Sequence, residues 1–498
     1  MDSRLLEALA KHGALADAAA VEYLSATRDP VAALETVFSR LRAAPLVLTL
    51  EDIRGVEVVP AAPAPPPPAA IHRAGELARR AAEAARPSPP KLRNLGRASE
   101  VAEDFRLLRD ITGHSTCEGT LEDFSRYFAN RLQSLTRLLR TRRELVGAVE
   151  IEKAKKLSRE VRFIGMVSEV RSSRKGDRVV EVEDATDSAP VFISQESPLF
   201  KEPVLEDEVI GVVGKPTEKG LVIAQDIVRP DVPGGRAFPA TNDGVSVAFV
   251  SDIHVGSKTF LQEQWDAFTT WLAGGDEVAR SVRYLVLAGD VVDGIGVYPR
   301  QEEELALDDI FEQYEALARL LAPTPDHVKV ILLPGNHDAV RPAEPQPALP
   351  ASVQKLFDSS VTFVGNPSTF TLHGVRVLAY HGRSMDDFVS NVPGLTYAKP
   401  LDGMREMLKR RHLAPIYGGK TPIAPEAEDH LVIDEVPDVF VTGHVHSVGM
   451  DEYKGVKIVN ASAWQSQTTY QKMRNIEPKP ARVPILNLGT GRGTIKEF

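Results

Sequence analysis

Five short apolar runs in the second half of the chain each end in a polar cluster, in a fixed order. Residues 245–250, 284–287, 328–333, 375–379 and 439–441 have the length and β-branched content of buried strands. The clusters that follow are Ser251-Asp252-Ile253-His254, Gly289-Asp290-Val291-Val292-Asp293, Pro334-Gly335-Asn336-His337-Asp338, Tyr380-His381-Gly382 and Gly443-His444-Val445-His446. Helical periods at about 261–272 and 302–321 lie between the strands, which predicts an α/β sandwich over residues 245–498. In such a fold the carboxyl ends of neighbouring strands gather along one rim of a sheet.

Upstream the pattern changes. Residues 158–232 hold five short strand patterns, at 161–170, 178–182, 191–193, 208–213 and 221–227, broken by turns such as Lys175-Gly176-Asp177. Five strands in so short a span predict a small Greek-key barrel of the OB type. Such a barrel can grip a single strand, but base-stacking aromatics are scarce (Phe163 and Phe192), and a purely structural barrel fits equally. Residues 96–157 read as a helical segment, with Phe124, Phe128, Leu132, Leu135, Leu138 and Leu139 on one face and Arg131, Arg137, Arg140, Arg142 and Arg143 around the rest. Residues 56–95, rich in proline and alanine, read as an extended linker. Residues 1–55 read as a small helical module, with Leu5, Leu6, Leu9 and Ala10 at helical spacing, a helix at 31–42 and a short strand near 46–51. A module of that size suits docking to other proteins.

At 498 residues the chain exceeds one core, so two to four domains are expected. A formal charge of -10 gives no general positive coat for nucleic acid, though local patches remain open. The single cysteine, Cys117, excludes an internal disulfide and a cysteine-rich zinc site. No apolar run is long enough to span a bilayer and Met1 opens no basic, apolar-cored leader, so the expectation is a soluble, cytoplasmic protein without membrane contact.

The rim clusters offer carboxylates, an amide oxygen and imidazoles, a donor set suited to two divalent cations. Asp252 and His254, two apart at a strand end, are expected to face one side and hold one ion, with His446 returning to it. Asp290 is the natural bridging carboxylate, and Asn336, His381 and His444 are expected at the second ion. His337 stands beside Asn336 without pointing at the metals, and is the candidate for protonating a leaving oxygen, with Asp293 as its orienting partner. Mixed nitrogen and oxygen ligation suits Mn²⁺ first, then Fe or Zn²⁺, and Mg²⁺ least.

With these clusters in view, residues 245–465 resemble the calcineurin-like metallophosphoesterases, which implies a four-layer α/β sandwich. Gly294 follows Asp293 where the phosphoprotein phosphatases of that superfamily carry arginine. The flanks narrow the resemblance. Gly335 to Arg341 running into Ala343 to Pro350, Arg411 to Gly418, Trp464 to Thr468 and the Asp110-Ile111-Thr112-Gly113 stretch are similar to the small subunits of archaeal family D DNA polymerases. That resemblance implies a proofreading 3′→5′ exonuclease subunit of a replicative polymerase. It implies a large catalytic subunit as partner, and DNA with single-stranded or mismatched 3′ ends as substrate, in the cytoplasm of an archaeal cell near the nucleoid. The alternative is a non-catalytic scaffold subunit. Arg341, Arg410, Arg411 and Lys420 are candidate DNA contacts, with a solvated helix end as the competing reading for the last three.

Overall fold

The computed structural model describes residues 97–498, apart from Lys219, Asn242, Arg474 and Asn475, and short stretches between residues 15 and 48. The chain divides into two units, 1–86 and 87–498. In the first, β1 (Leu15–Ala16) and β2 (Val47–Leu48) pair in parallel, and helix α1 (Pro30–Arg40) buries Leu34 and Val37. Pro30 suits the opening of the helix, where its missing N–H has no partner to lose. The expected helix around Leu5–Ala10 and the expected linker at 56–95 lie outside the described residues.

The second unit opens with a departure from expectation. Residues 105–109, read from sequence as part of a helical segment, form strand β3 (Phe105–Arg109), paired antiparallel with β13 (defined below). An isolated five-residue run carries too little periodicity to choose helix over strand, and the partner decides. Helix α2 (Leu121–Leu139) then starts at a capping box. Thr120 Oγ1 accepts from Asp123 N at 3.2 Å, and Asp123 Oδ2 accepts from Thr120 N at 3.2 Å. Its buried stripe is Asp123, Tyr127, Arg131, Leu135 and Leu139, rotated from the expected apolar face. Arg131 causes the rotation. It is wholly buried, with Nε 2.7 Å from Asp429 Oδ2 and Nη2 donating to Tyr127 Oη at 3.1 Å, so it cannot decorate a solvated face.

A closed five-stranded barrel follows: β4 (Val161–Ser172), β5 (Arg178–Glu183), β6 (Ser188–Ile193), β7 (Val209–Pro216) and β8 (Val222–Val228), in the order β4-β5-β6-β8-β7. Alternation along the strands sends Phe163, Val180, Val182, Val191, Ile193, Ile210 and Val212 into its core.

The remaining strands are β9 (Ser246–Val250), β10 (Val282–Ala288), β11 (Lys329–Leu333), β12 (Val361–Phe363), β13 (Ser368–Leu372), β14 (Val375–Ala379), β15 (Val439–Thr442), β16 (Gly449–Tyr453), β17 (Val456–Asn460), β18 (Arg482–Asn487) and β19 (Gly493–Glu497). They form two six-stranded sheets, β12-β11-β10-β9-β18-β19 and β16-β17-β15-β14-β13-β3. Val247, Phe249, Val286 and Ile331 of the first sheet meet Phe370, Val377, Val439 and Val441 of the second in one core. The opposite face of the first sheet packs on α3 (Gln262–Leu272) and α4 (Ile310–Leu321), through Trp265, Phe268, Tyr314 and Leu317. That of the second packs on α5 (Met385–Asn391) and α6 (Pro400–Arg410), through Phe388, Met404, Met407 and Leu408. Among the described residues, no helix is long and apolar enough to cross a membrane.

Two of the expected DNA contacts belong to this framework instead. Arg410 Nε lies 2.7 Å from Glu208 Oε2, and Arg229 Nη2 lies 3.1 Å from Glu208 Oε1, all three residues being buried. The trio fastens the barrel to α6. Burial opposes the charge on Glu208, but the two guanidiniums hold its carboxyl below the usual range. Arg411, in the left-handed conformation that ends α6, donates to the carbonyls of Ile433 and Asp434 and is equally buried. Neither side chain can reach a phosphate without breaking these bonds. Arg410→Ala is expected to destabilise the chain by about 3–5 kcal/mol, because Glu208 is left with one cation. Denaturant unfolding reads this, and a loss below about 1 kcal/mol would contradict the clamp.

Candidate metal centre

Asp252, Asp290, His381 and His444 each stand two residues beyond the last residue of β9, β10, β14 and β15. Five of the seven expected ligands take left-handed backbone angles: Asp252 (φ 51°), His254 (53°), Asp290 (49°), His444 (69°) and His446 (50°). Residues with side chains adopt that region at a cost of about 1–3 kcal/mol each. The turn it produces is what brings Asp252 and His254 to one side. The two-residue pleat expected from sequence is not the reason, since β9 has already ended at Val250. Glycines make the crowding possible. A Cβ at Gly335 would collide with the Asp290 carboxylate, and one at Gly443 with Ser251 Oγ and the Asp252 carboxylate.

The side chains fall into two adjoining groups. Asp252, His254 and His446 converge, with His446 Nε2 3.4 Å from Asp252 Oδ1 and 3.1 Å from His254 Nε2. Asp290, His381 and His444 converge likewise; His381 Nε2 lies 3.2 Å from Asp290 Oδ2 and 3.2 Å from Asn336 Oδ1. Main-chain amides fix the other carboxylate oxygens: His444 N donates to Asp252 Oδ2 and His337 N to Asp290 Oδ1, both at 2.8 Å. Asp252 Oδ1, wholly buried, receives no hydrogen bond. A carboxylate oxygen so placed, facing imidazole nitrogens, lacks only a cation, and the donor set fits one.

Electrostatics agree. Burial resists ionisation of Asp290, but the neighbouring His381 and His337 hold its carboxyl well below the usual range. Asp252 is held low in the same way by His446. Burial alone would depress His381, but Asp290 lifts it to about 10; Asp293 raises His254 against its burial. The carboxylates thus demand positive charge, supplied by imidazole protons when no ion competes.

His337 lies beside both groups. Its Nδ1 sits 2.7 Å from the Asp293 carbonyl oxygen, and its Nε2 is 3.9 Å from Asp290 Oδ2. The Asp293 carboxylate, expected to orient His337, faces His254 instead, 3.0 Å from Nδ1; only the main chain of Asp293 meets His337. Sequence reasoning missed several supports. Gln301 and Gln465 donate to the Asp293 carboxylate at 3.1 and 3.2 Å, and Gln471 Nε2 lies 2.7 Å from His446 Nδ1. Asn366 Oδ1 accepts from His381 N at 2.8 Å and is itself held by Gln346. Gln346 belongs to the proline-rich 342–350 stretch, which supports the site from behind and does not border its opening. Asp386 Oδ2 lies 3.4 Å from His444 Nε2. Burial disfavours its charge, but His444 holds it below the usual range.

A cleft of about 290 Å³ opens over these groups. Of the four expected DNA contacts, Lys420 borders it, joined by Arg383, which sequence reasoning overlooked. Arg341 does not, because its guanidinium is taken up by Glu426 (2.8 Å) and the Pro345 carbonyl.

Residues 247–448 match the family model of the B subunits of DNA polymerases alpha and epsilon. The chain is 44% identical over 411 residues to the DNA polymerase II small subunit of Archaeoglobus fulgidus, covering 81% of this chain and 82% of that one. It is 42% identical over 415 residues to that of Thermoplasma acidophilum, covering 82% of each. It is 38% identical over 516 residues to that of Halobacterium salinarum, covering 99% of this chain and 98% of that one. A solved archaeal phosphodiesterase covers 51% of this chain and 100% of its own at 10% identity and a TM-score of 0.26, too slight a likeness to weigh.

An ion entering the second group must displace the His381 proton, which Asp290 retains up to about pH 10. Affinity for Mn²⁺ in chelator-stripped protein is therefore expected to rise with pH between 6 and 9, by roughly ten-fold per unit for each proton displaced. Calorimetric titration checks this, and pH-independent binding would contradict it.

Proposed function

The chain belongs to the family of DNA polymerase II small subunits, and on that premise we propose that it is the proofreading 3′→5′ exonuclease subunit of a replicative family D DNA polymerase. Its partner is a large catalytic subunit, its substrates are single-stranded or mismatched 3′ ends, and it works in the cytoplasm near the nucleoid. Its second unit reads as an OB-type barrel followed by a four-layer phosphoesterase sandwich of the calcineurin-like kind.

One observation carries the nuclease reading: the buried Asp252 oxygen that receives no hydrogen bond and faces the His446 and His254 imidazoles, beside a second such group, held by left-handed backbone. A scaffold has no use for five such residues. Asp252, His254 and His446 would hold one divalent ion, Asn336, His381 and His444 a second, with Asp290 between; Mn²⁺ suits the donors best. Bound there, two such ions supply an activated water and neutralise charge on the phosphate.

The chain's own groups do the remainder. Lys420 and Arg383 border the cleft and attract the phosphodiester. His337, pinned through Nδ1 to the Asp293 carbonyl, turns Nε2 toward the reacting centre. Burial keeps its ring neutral in the free site, and an anionic phosphodiester beside it draws a proton onto Nε2 for delivery to the departing 3′ oxygen. Asp293 keeps His254 fixed through its carboxylate, so one residue orients two imidazoles.

The expected result is Mn²⁺-dependent shortening of a labelled single strand from its 3′ end, abolished by Asp290→Ala and His444→Ala. His337→Ala is expected to lower kcat by about 10²–10⁴-fold while leaving Mn²⁺ binding intact. Absence of digestion, even with the large subunit added, would favour the scaffold.

A further inference from the structure

The lining of the cleft over the metal centre is chemically mixed. Arg383 and Lys420 supply cations, and Val297 and Tyr298 supply apolar surface, with the His337 ring centroid 6.2 Å from that of Tyr298. Val297 and Tyr298 belong to a short loop between Asp293 and Gln301 that also carries Ile295. Ile295 is 49% exposed and Val297 38% exposed, although both are β-branched aliphatics that water disfavours.

The loop is not slack. Gly294 N donates to Gln313 Oε1 at 2.9 Å, and Gln313 Nε2 returns a bond to Gly294 O at 3.2 Å. Val297 N donates to Gln301 Oε1 at 2.8 Å, and Tyr298 Oη donates to Glu304 Oε2 at 3.1 Å. Gln313 and Gln301 are wholly buried, so the feet of the loop are anchored in the core. Gly294 (φ 72°) and Gly296 (φ 71°) supply the left-handed turns that hold Ile295 and Val297 outward. An anchored, uncharged, apolar ridge whose Val297 and Tyr298 line a polar cleft calls for a flat apolar ligand. A phosphate finds no donor side chain on Ile295, Gly296 or Val297, whereas the face of a nucleobase finds contact area.

We propose that the Ile295–Tyr298 ridge is the platform for the 3′-terminal nucleobase. Val297 and Tyr298 pack against that base while its phosphate lies toward Arg383 and Lys420, and the exposed Ile295 extends the same apolar surface. The ridge therefore selects an end whose terminal base has left the duplex stack. This rests on the nuclease reading, and it adds a determinant of which ends are accepted.

The test compares a single strand bearing an ordinary 3′-terminal nucleotide with one ending in an abasic tetrahydrofuran, using the full chain alone and with the large subunit. Wild-type kcat/KM is expected to favour the base-bearing end by about ten-fold. The doubly substituted Ile295→Ala, Val297→Ala chain is expected to bring that ratio close to one, and Ile295→Leu with Val297→Leu to restore it. Val146→Ala, an exposed apolar position on the segment before the barrel, is expected to keep the wild-type ratio. A second readout is independent of hydrolysis: the fluorescence of 2-aminopurine at the 3′ terminus, which rises on binding to the wild type as the base leaves its stacked neighbour for the ridge, and does not rise with the double variant. A wild-type ratio near one, or a ratio that survives the double substitution, overturns the proposal. If no DNA is hydrolysed at all, the nuclease reading falls by itself. The 2-aminopurine signal then decides the ridge: a rise lost in the variant upholds it, and absence of a rise with the wild type overturns it.

Discussion

Two buried carboxylates, Asp252 and Asp290, impose a demand for positive charge that the surrounding structure is built to meet. Neither can stay ionised inside a protein without cations or donors around it. Each has one oxygen tied to a main-chain amide, from His444 and His337 respectively, which leaves the other oxygen for the centre of the site. Imidazoles close the ring; Asp290 lifts His381 to about 10, and Asp293 raises His254 against its burial. The left-handed turns past β9, β10 and β15 follow from the same demand, because only a sharp turn at the strand end gathers so many donors in one place. Strain of that kind persists where the surrounding fold over-determines it, and two packed six-stranded sheets supply that rigidity.

Charge buried elsewhere serves attachment. Arg131 with Asp429 and His412 ties α2 to the segment after α6, and Glu208 with Arg229 and Arg410 ties the barrel to α6 itself. Such triads contribute little net stability over apolar packing, but removing one member leaves a buried charge under-compensated, so they fix which surfaces meet. The barrel is thereby held in a defined place against α6, which itself packs on the second six-stranded sheet.

Much of this was legible in the sequence, for identifiable reasons. Long apolar runs betray buried strands, so 375–379 coincides with β14 and 245–250 with β9 to within one residue. Asp, His and Asn after such runs are few enough in kind that the seven candidate ligands could be named, and the structure brings them together. Other features leave no such trace. Arg410 looks solvent-bound because a basic run carries no sign of Glu208, its acidic partner far earlier in the chain. Arg411 does so because nothing in the run marks the Ile433 and Asp434 carbonyls it donates to. Gln465, Gln471 and Asn366 have no spacing rule, since an amide supports an imidazole from any direction the fold permits. Phe105–Arg109 is a strand only because β13 presents an edge to it.

The most direct test of the central claim is anomalous diffraction at the manganese edge from crystals of the chain grown with Mn²⁺. The account predicts two peaks roughly 3.5–4 Å apart, one among Asp252, His254 and His446 and the other among Asn336, His381 and His444, with Asp290 between. A crystal holding no ion at this rim, with Asp252 Oδ1 still buried and without a hydrogen bond, would contradict it.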